Sequence, residues 1–310
     1  MLEDVTPDLD LRKLRYFVAV ADELNFGRAA ETLMIAQPVL SRQIRAFEDE
    51  LGVQLFVRDT RGTELTEHGQ MLYREAEGLL ASAAAVRRRL AIAARGEAVF
   101  TVGFMPGLVV TEAVRAFHRT NPEVEIRVMR TGWEDQVRVL HDGRADVSYL
   151  RRPFDATGLS TVPLFSEPRV VMLPAAHDLS TATGVLMNDL AMEHLLQDPA
   201  AVPEWAAVAA EMRRRRGSGR SPSRTVEEKL ELVAVGSGIA ILPLSTARFY
   251  RRPDVRFVPV TDLPPTEVQL GWDASRRSRL IAAFAQTVRE VTRPPNQSMA
   301  KPAAATVRGS

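Results

Sequence analysis

Apolar positions recur at helical spacing three times within the first fifty residues. Leu14, Phe17, Val18 and Ala21 form the first stripe, with Leu11 and Leu24 at its ends, and predict an amphipathic helix over residues 11–24. Asn25 is a capping residue type, and the FGRAAETLM that follows places Ala29, Ala30 and Leu33 where two helices can approach closely. A turn at Ile35 and Ala36 leads into a third helix with Pro38 in its first turn, where the missing N–H costs nothing, and Gly52 at its C-terminal end. Leu40, Ile44, Phe47 and Leu51 give that helix a core stripe and leave Gln37, Ser41, Arg42 and Arg45 facing outward. The next stretch, VQLFVRDTRGTELT, alternates apolar and polar residues about a Thr-Arg-Gly turn and predicts a β-hairpin.

From Thr66, a plausible cap, the period lengthens. Leu72, Ala76, Leu79, Ala83, Val86, Leu90 and Ala93 fall at alternating spacings of four and three, a heptad seam that predicts a long helix paired with a second copy of itself. Its other faces carry Arg74, Glu75, Glu77 and the run Arg87, Arg88, Arg89, which argues against burial in a globular core. Beyond Gly96 strand and helix patterns alternate: VFTVGFM, TEAVRAFHRT, EIRVMRT, WEDQVRVLHDG, ADVSYL. A second set follows in PRVVMLPA, MNDLAMEHLL, EWAAVAAEMRRRR, EEKLELVAVG and IAILP, closed by VRFVPV, EVQLGWD and RLIAAFAQTVREV. Such alternation predicts two α/β lobes with parallel strands and crossover helices. Arg213–Arg216 read as a solvated helix end, and residues 293–310, rich in Pro and Ala, as a disordered tail.

Bulk charge adds little, since the formal net charge of the 310 residues is +1. The absence of cysteine excludes disulfides, thiolate metal sites and thiol catalysis. An acidic, polar N-terminus and the lack of a long apolar run predict a cytoplasmic protein without membrane segments. No phosphate-binding loop, HExxH or GxSxG occurs, and the five histidines are scattered, so no enzyme, metal or cofactor is expected.

The ordered block LRYFVAVADELNFGRAAETLMIAQPVLSRQIRAFEDELGVQLFVRDTRGTELTEHG, followed by HDGRADVSYL, RVVMLPAAHDL and LVAVGSGIAILP, resembles the LysR-type transcriptional regulators over nearly the whole chain. The resemblance implies an α/β multidomain protein. A winged helix-turn-helix DNA-binding domain would span residues 1–66, a dimerising linker helix 67–96, and a two-lobed effector domain like a periplasmic binding protein 97–292. Its first lobe would hold about 97–168 and 268–292, and its second about 169–267.

By the same resemblance Gln37, Pro38, Ser41, Arg42 and Arg45 occupy the reading helix, with Arg58, Arg61 and Thr66 toward the DNA backbone. Gln can pair with adenine and Arg with guanine from such a helix, while wing arginines position it on phosphate. Leu72, Leu79, Val86 and Leu90 would join two chains. Pro106, Gly107, Thr131, Arg151 and Gln197 would meet a small effector of anionic character, Gly107 ahead of a helix N-terminus suited to an anion. Arg152 is a further candidate, and strand-end arginines commonly reach into solvent. Expected partners are double-stranded promoter DNA, a second copy in a homodimer or homotetramer, and RNA polymerase.

Ala36 departs from the family pattern, which has serine there, and should weaken the helix cap by about 1 kcal/mol. Two rivals remain: an α/β enzyme, which missing site chemistry disfavours, and a constitutive or architectural DNA-binding protein without effector response.

Overall fold

A computed structural model describes residues 8–59, 62–96, 98–208 and 225–292, with the backbone alone at 58, 59, 206 and 207. Arg61, Arg213–Arg216 and the tail 293–310 lie outside the described residues. The chain divides into two compact units, Met1–Arg95 with His141–Arg144, and Gly96–Leu140 with Ala145–Ser310.

The first unit runs α1 (Leu11–Glu23), α2 (Phe26–Thr32), α3 (Gln37–Leu51), β1 (Phe56–Asp59), β2 (Gly62–Leu65) and α4 (Glu67–Ala94). Asp10 accepts from the first-turn amides of α1, and Asn25 does the same for α2. Helix α1 buries Val20 in place of Val18. Leu24 turns left-handed at φ 44° and ends the helix, which takes its side chain out of the stripe. On α3, Leu40, Ile44 and Phe47 are buried, Pro38 lies in the first turn, and Gly52 closes the helix at φ 67°. Ala36 stands at the N-cap with no side-chain hydrogen bond.

The core of this unit gathers around Phe56, whose ring lies 5.4 Å from Phe17 and 5.7 Å from Phe26. Glu48 anchors the hairpin by accepting from the amides of Leu55 (2.8 Å) and Phe56 (3.2 Å). Thr66 caps α4 through the Gly69 amide, and α4 then sinks its first turns into the same core: Ala76 is buried and Leu72 half-buried. Tyr73 donates to Asp22 at 2.5 Å, a hydrogen bond that pushes the phenol pKa up to about 12. The heptad seam therefore divides. Leu72 serves its own chain, whereas Leu79, Val86 and Leu90 stand 44%, 47% and 65% exposed.

In the second unit one sheet has the order β4 (Glu125–Arg130), β3 (Val99–Phe104), β5 (Val147–Arg151), β10 (Thr266–Asp273), β6 (Leu159–Glu167). Strand β3 is parallel to β4 and β5, as the alternating pattern predicts, but β10 is antiparallel to both its neighbours. Helices α5 (Thr111–Thr120) and α10 (Arg279–Thr292) bring Phe117 and Phe284 against Phe100, with ring separations of 5.1–5.3 Å. Strand β6 has no counterpart in the sequence reading, because Pro163 interrupts its pattern; it sits at the sheet edge, beside a register shift that leaves its own Leu164 without a partner on β10, where a ladder tolerates proline.

The second sheet, β8 (Ala240–Pro243), β7 (Arg169–Pro174), β9 (Val255–Pro259), is antiparallel throughout, contrary to the parallel expectation. Helix α8 (Val226–Ala234) packs on it behind a reciprocal Thr225–Glu228 cap, followed after β8 by α9 (Leu244–Phe249). Two more segments depart from helix. MNDLAMEHLL forms a 3-10 turn over Met187–Leu190 and then extends, because Leu195 bridges to Ile239 beside β8. WEDQVRVLHDG is helical only as α6 (Arg138–His141), and α7 (Trp205–Val208) is the described part of the next helical pattern. The chain crosses between sheets at Pro168, and again between β9 and β10, so the two sheets form two lobes. Among the described residues no helix is long and apolar enough to cross a membrane.

A Cβ built on Gly69 would lie 2.2 Å from the Leu55 carbonyl oxygen, which already accepts from the Thr66 amide. Gly69→Ala should therefore destabilise the unit by about 1–3 kcal/mol, despite the roughly 1 kcal/mol that alanine gains in helix propensity. A lower urea midpoint by circular dichroism checks it; a raised midpoint would show that the carbonyl yields freely.

Candidate nucleic-acid interface and ligand cleft

Helix α3 presents Gln37, Pro38, Arg42 and Arg45 to solvent, with Ser41 half-buried beside them. Among the described residues none of the polar four makes a side-chain hydrogen bond or ion pair, so their donors and acceptors are uncommitted. By contrast Arg28 on α2 is tied to Glu23 at 2.9 Å, and Lys13 on α1 to Glu50. Val39, 37% exposed next to Pro38, adds an apolar contact that the sequence reading overlooked, since only polar residues were sought on that face. Such a surface suits base edges, where amide and guanidinium read donors and acceptors and a methyl meets thymine.

Arg58 lies on β1, its backbone opposite Thr63, leading into the hairpin tip. Thr66 spends its hydroxyl proton on the Gln54 carbonyl at 2.7 Å while accepting from Gly69 at 3.0 Å. Its role in this structure is to join hairpin to helix.

Between the lobes of the second unit lies a cavity of about 460 Å³, within the range of small-molecule sites. Pro106, Thr131, Trp133 and Arg151 line it from the first lobe, and Gln197, Val226, Lys229 and Thr246 from the second. Gly107 is outside that wall. Its φ of 84° and a virtual Cβ 2.6 Å from the Thr246 backbone show a glycine needed for close packing of the lobes. Helix α5 begins at Thr111, and its first turn is likewise not part of this wall.

Arg151 does not reach into solvent. It is 3% exposed and uses its guanidinium on Glu167 (3.2 Å), the Pro106 carbonyl (2.7 Å) and the Ser245 hydroxyl (2.6 Å). Desolvation lowers its pKa and the Glu167 carboxylate opposes that shift. Glu167 also accepts from the Ser245 amide at 2.8 Å, and Thr246 donates to the same Pro106 carbonyl. Gln197 is equally committed, accepting from and donating to the backbone of Ile241 at 2.9 Å each way. Gln136 brackets the Arg151 backbone in the same manner, an element absent from the sequence reading.

The remaining wall arginines are also paired or exposed. Arg169 meets Glu204 (2.6 Å), whose pKa that hydrogen bond lowers; Arg130 meets Glu227 (3.0 Å), and the exposed Arg152 meets Glu267 (3.6 Å). Thr131, in contrast, is 2% exposed with an unpartnered hydroxyl. Lys229, which the sequence reading also missed, is buried in the same wall. Within EEKLELV it looks like an ordinary solvent-facing helix charge.

Residues 11–70 match the family model of a bacterial regulatory helix-turn-helix protein, lysR family, and residues 93–293 that of a LysR substrate binding domain. The chain is 30% identical over 305 residues to the HTH-type transcriptional regulator BenM of Acinetobacter baylyi, covering 93% of this chain and 100% of that protein. It is 33% identical over 261 residues to the HTH-type transcriptional regulator CatR of Pseudomonas putida, covering 82% and 89%. Its fold is similar to the crystal structure of CbnR, a LysR family transcriptional regulator, with a TM-score of 0.58 at 23% identity, covering 92% of this chain and 100% of that one.

Removing one partner of a buried pair strands the other charge. Glu167→Ala should cost about 3–5 kcal/mol, and Arg151→Met/Glu167→Leu together should recover part of it. Thermal and urea unfolding of the two variants checks this; an unaffected single variant would mean that Arg151 finds water on its own.

Proposed function

Because the chain belongs to the LysR family of transcriptional regulators, we propose that α3 reads operator bases through Gln37, Ser41, Arg42 and Arg45, and that the interlobe cleft takes the effector. The protein is a sequence-specific DNA-binding regulator of promoters, with an N-terminal helix-turn-helix, a helical linker and a C-terminal effector-binding α/β domain. Its homologues are transcriptional regulators.

The observation that carries the reading is the uncommitted polar face of α3, set on a tightly packed three-helix frame whose first two helices are capped by Asp10 and Asn25. Pro38 starts that helix, and Arg58 on β1, together with Arg61, which lies outside the described residues, serves the phosphate backbone. Wing arginines of this kind set register and salt dependence, whereas the helix donors set sequence preference. Leu79, Val86 and Leu90 join two chains into a dimer, and dimers pair into tetramers on a pseudo-palindromic operator. The exposure of these three apolar side chains at heptad spacing supports that pairing. The effector is a small anion, an idea supported by the cationic wall of the cleft. The protein works in the cytoplasm, without catalysis.

Two experiments test this. In gel shifts and footprints on the DNA beside its own gene, Arg42→Ala should lose about 1–3 kcal/mol of preference for the specific site. Arg58→Ala should weaken specific and nonspecific binding alike and flatten the salt dependence. If both variants keep operator affinity, α3 and the hairpin do not read DNA. For the linker, Val86→Asp with Leu90→Asp should shift sedimentation toward monomer, and an unchanged oligomer would assign the interface elsewhere.

A further inference from the structure

Four residues of the chain, His141–Arg144, group with the first unit, although Leu140 before them and Ala145 after them belong to the second. What draws them there is α4. Beyond Ala76 that helix buries a single residue, Ala85, while Val86, Arg87, Arg89 and Leu90 beside it are exposed. The covering group is the Gly143 backbone: a Cβ built on Gly143 would lie 2.9 Å from the Ala85 Cβ and 3.1 Å from its Cα. With φ at 68°, Gly143 is needed for the shape of the turn as well as for this approach. One helical turn on, Arg88 donates to the Asp142 carbonyl at 3.2 Å and stands 3.7 Å from its carboxylate. By helical periodicity Ala85 and Arg88 lie on the side of α4 opposite Leu79, Val86 and Leu90, so pairing of two chains and docking of the turn do not compete for one surface.

The turn is fastened unequally on its two sides. Toward β5, Asp146 accepts from the Thr101 amide at 2.6 Å and pairs with Arg276 at 2.6 Å. The Ala145 and Asp146 amides donate to the Val139 and Thr101 carbonyls at 2.8 Å each. Inside the turn, Asp142 accepts from the Arg144 amide at 3.0 Å and its guanidinium at 2.8 Å. Toward α4 the hold is a backbone resting on a methyl group, one hydrogen bond and a long ion pair whose arginine is 40% exposed, which water and salt weaken. A turn with a firm internal shape and a weak external grip can leave α4 as a body, without unfolding.

We propose that the His141–Arg144 turn is a latch on the linker helix. Closed, it clasps Ala85 and Arg88 and fixes the distal half of α4; open, it frees that half, and the complex that α3 forms with DNA differs between the two states. The proposal rests on the reading of α3 as the DNA-reading helix.

The test compares the full chain with three variants. Ala85→Leu puts a larger side chain where Gly143 rests, Arg88→Met removes the grip, and Arg87→Met makes the same charge change at an exposed neighbour. Leucine and methionine both favour helix, so α4 should keep its circular dichroism in all three. By hydrogen exchange, the peptide over residues 139–147 should exchange about fivefold faster or more in Ala85→Leu and Arg88→Met. Peptides from α3 and β3 should be unchanged, and Arg87→Met should match wild type. On the DNA beside its own gene, both latch variants should alter the length of the footprint or the bend measured with circularly permuted probes, and Arg87→Met should alter neither.

Wild-type exchange over 139–147 in both latch variants would overturn the contact. Faster exchange with unchanged footprint and bend would reduce Ala85 and Gly143 to packing and overturn the switch. A footprint altered as much by Arg87→Met as by Arg88→Met would assign the effect to charge and overturn it too. If even the wild-type chain binds no DNA specifically, the reading of α3 fails, and the exchange result still decides whether α4 holds the turn.

Discussion

A buried guanidinium at the junction of two lobes must be neutralised and have its donors matched, and the second unit is arranged around meeting that requirement for Arg151. Glu167 provides the charge from the end of β6, where the chain leaves one sheet for the other. The Pro106 carbonyl and the Ser245 hydroxyl supply acceptors from the two lobes. The geometry is demanding in both directions. Each lobe has to present its acceptor at hydrogen-bond distance, and Gly107 has to lack a side chain for the backbones to come that close. A buried pair of this kind adds little net stability over an apolar substitute, but breaking it is costly, so it specifies one relation between the lobes more than it strengthens them.

Glutamine repeats the same logic at lower cost. Gln136 closes on both backbone groups of Arg151 in the first lobe, and Gln197 closes on both backbone groups of Ile241 in the second. Each amide satisfies a strand residue that has reached the cleft and would otherwise leave polar backbone atoms buried without partners. Two residues that a cleft argument would assign to ligand binding, Arg151 and Gln197, thus maintain the walls. What remains uncommitted on those walls is correspondingly small.

The legibility of these features in the sequence depends on how local their cause is. Helix α3 was readable almost to the residue, because Pro38, Gly52 and the Leu40, Ile44, Phe47 stripe all act within the helix itself. Asn25 and Thr66 were readable for the same reason, as capping is settled within three residues. Edge strand β6 was not, since the edge position that accepts Pro163 is set by pairing with a strand a hundred residues later. The extended stretch at Leu195 likewise depends on Ile239, and an apolar run cannot announce which partner will claim it. In the cleft, sequence located several wall residues yet could not separate those bound to the protein from those left free. That distinction is a property of partners, and Lys229 looks from sequence like any charge on an exposed helix.

Uncommitted polar groups occur at both ends of the function, with different energetics. On α3 the side chains of Gln37, Arg42 and Arg45 remain in water, so leaving them unpaired costs the folded protein almost nothing. They can be chosen for the bases they meet, and their contribution arises only when DNA replaces solvent. In the second unit the Thr131 hydroxyl is already out of water without a partner among the described residues, and the protein carries its desolvation. The exposed helix face therefore suits a surface whose specificity comes from many weak contacts, each drawn on only when a partner replaces water.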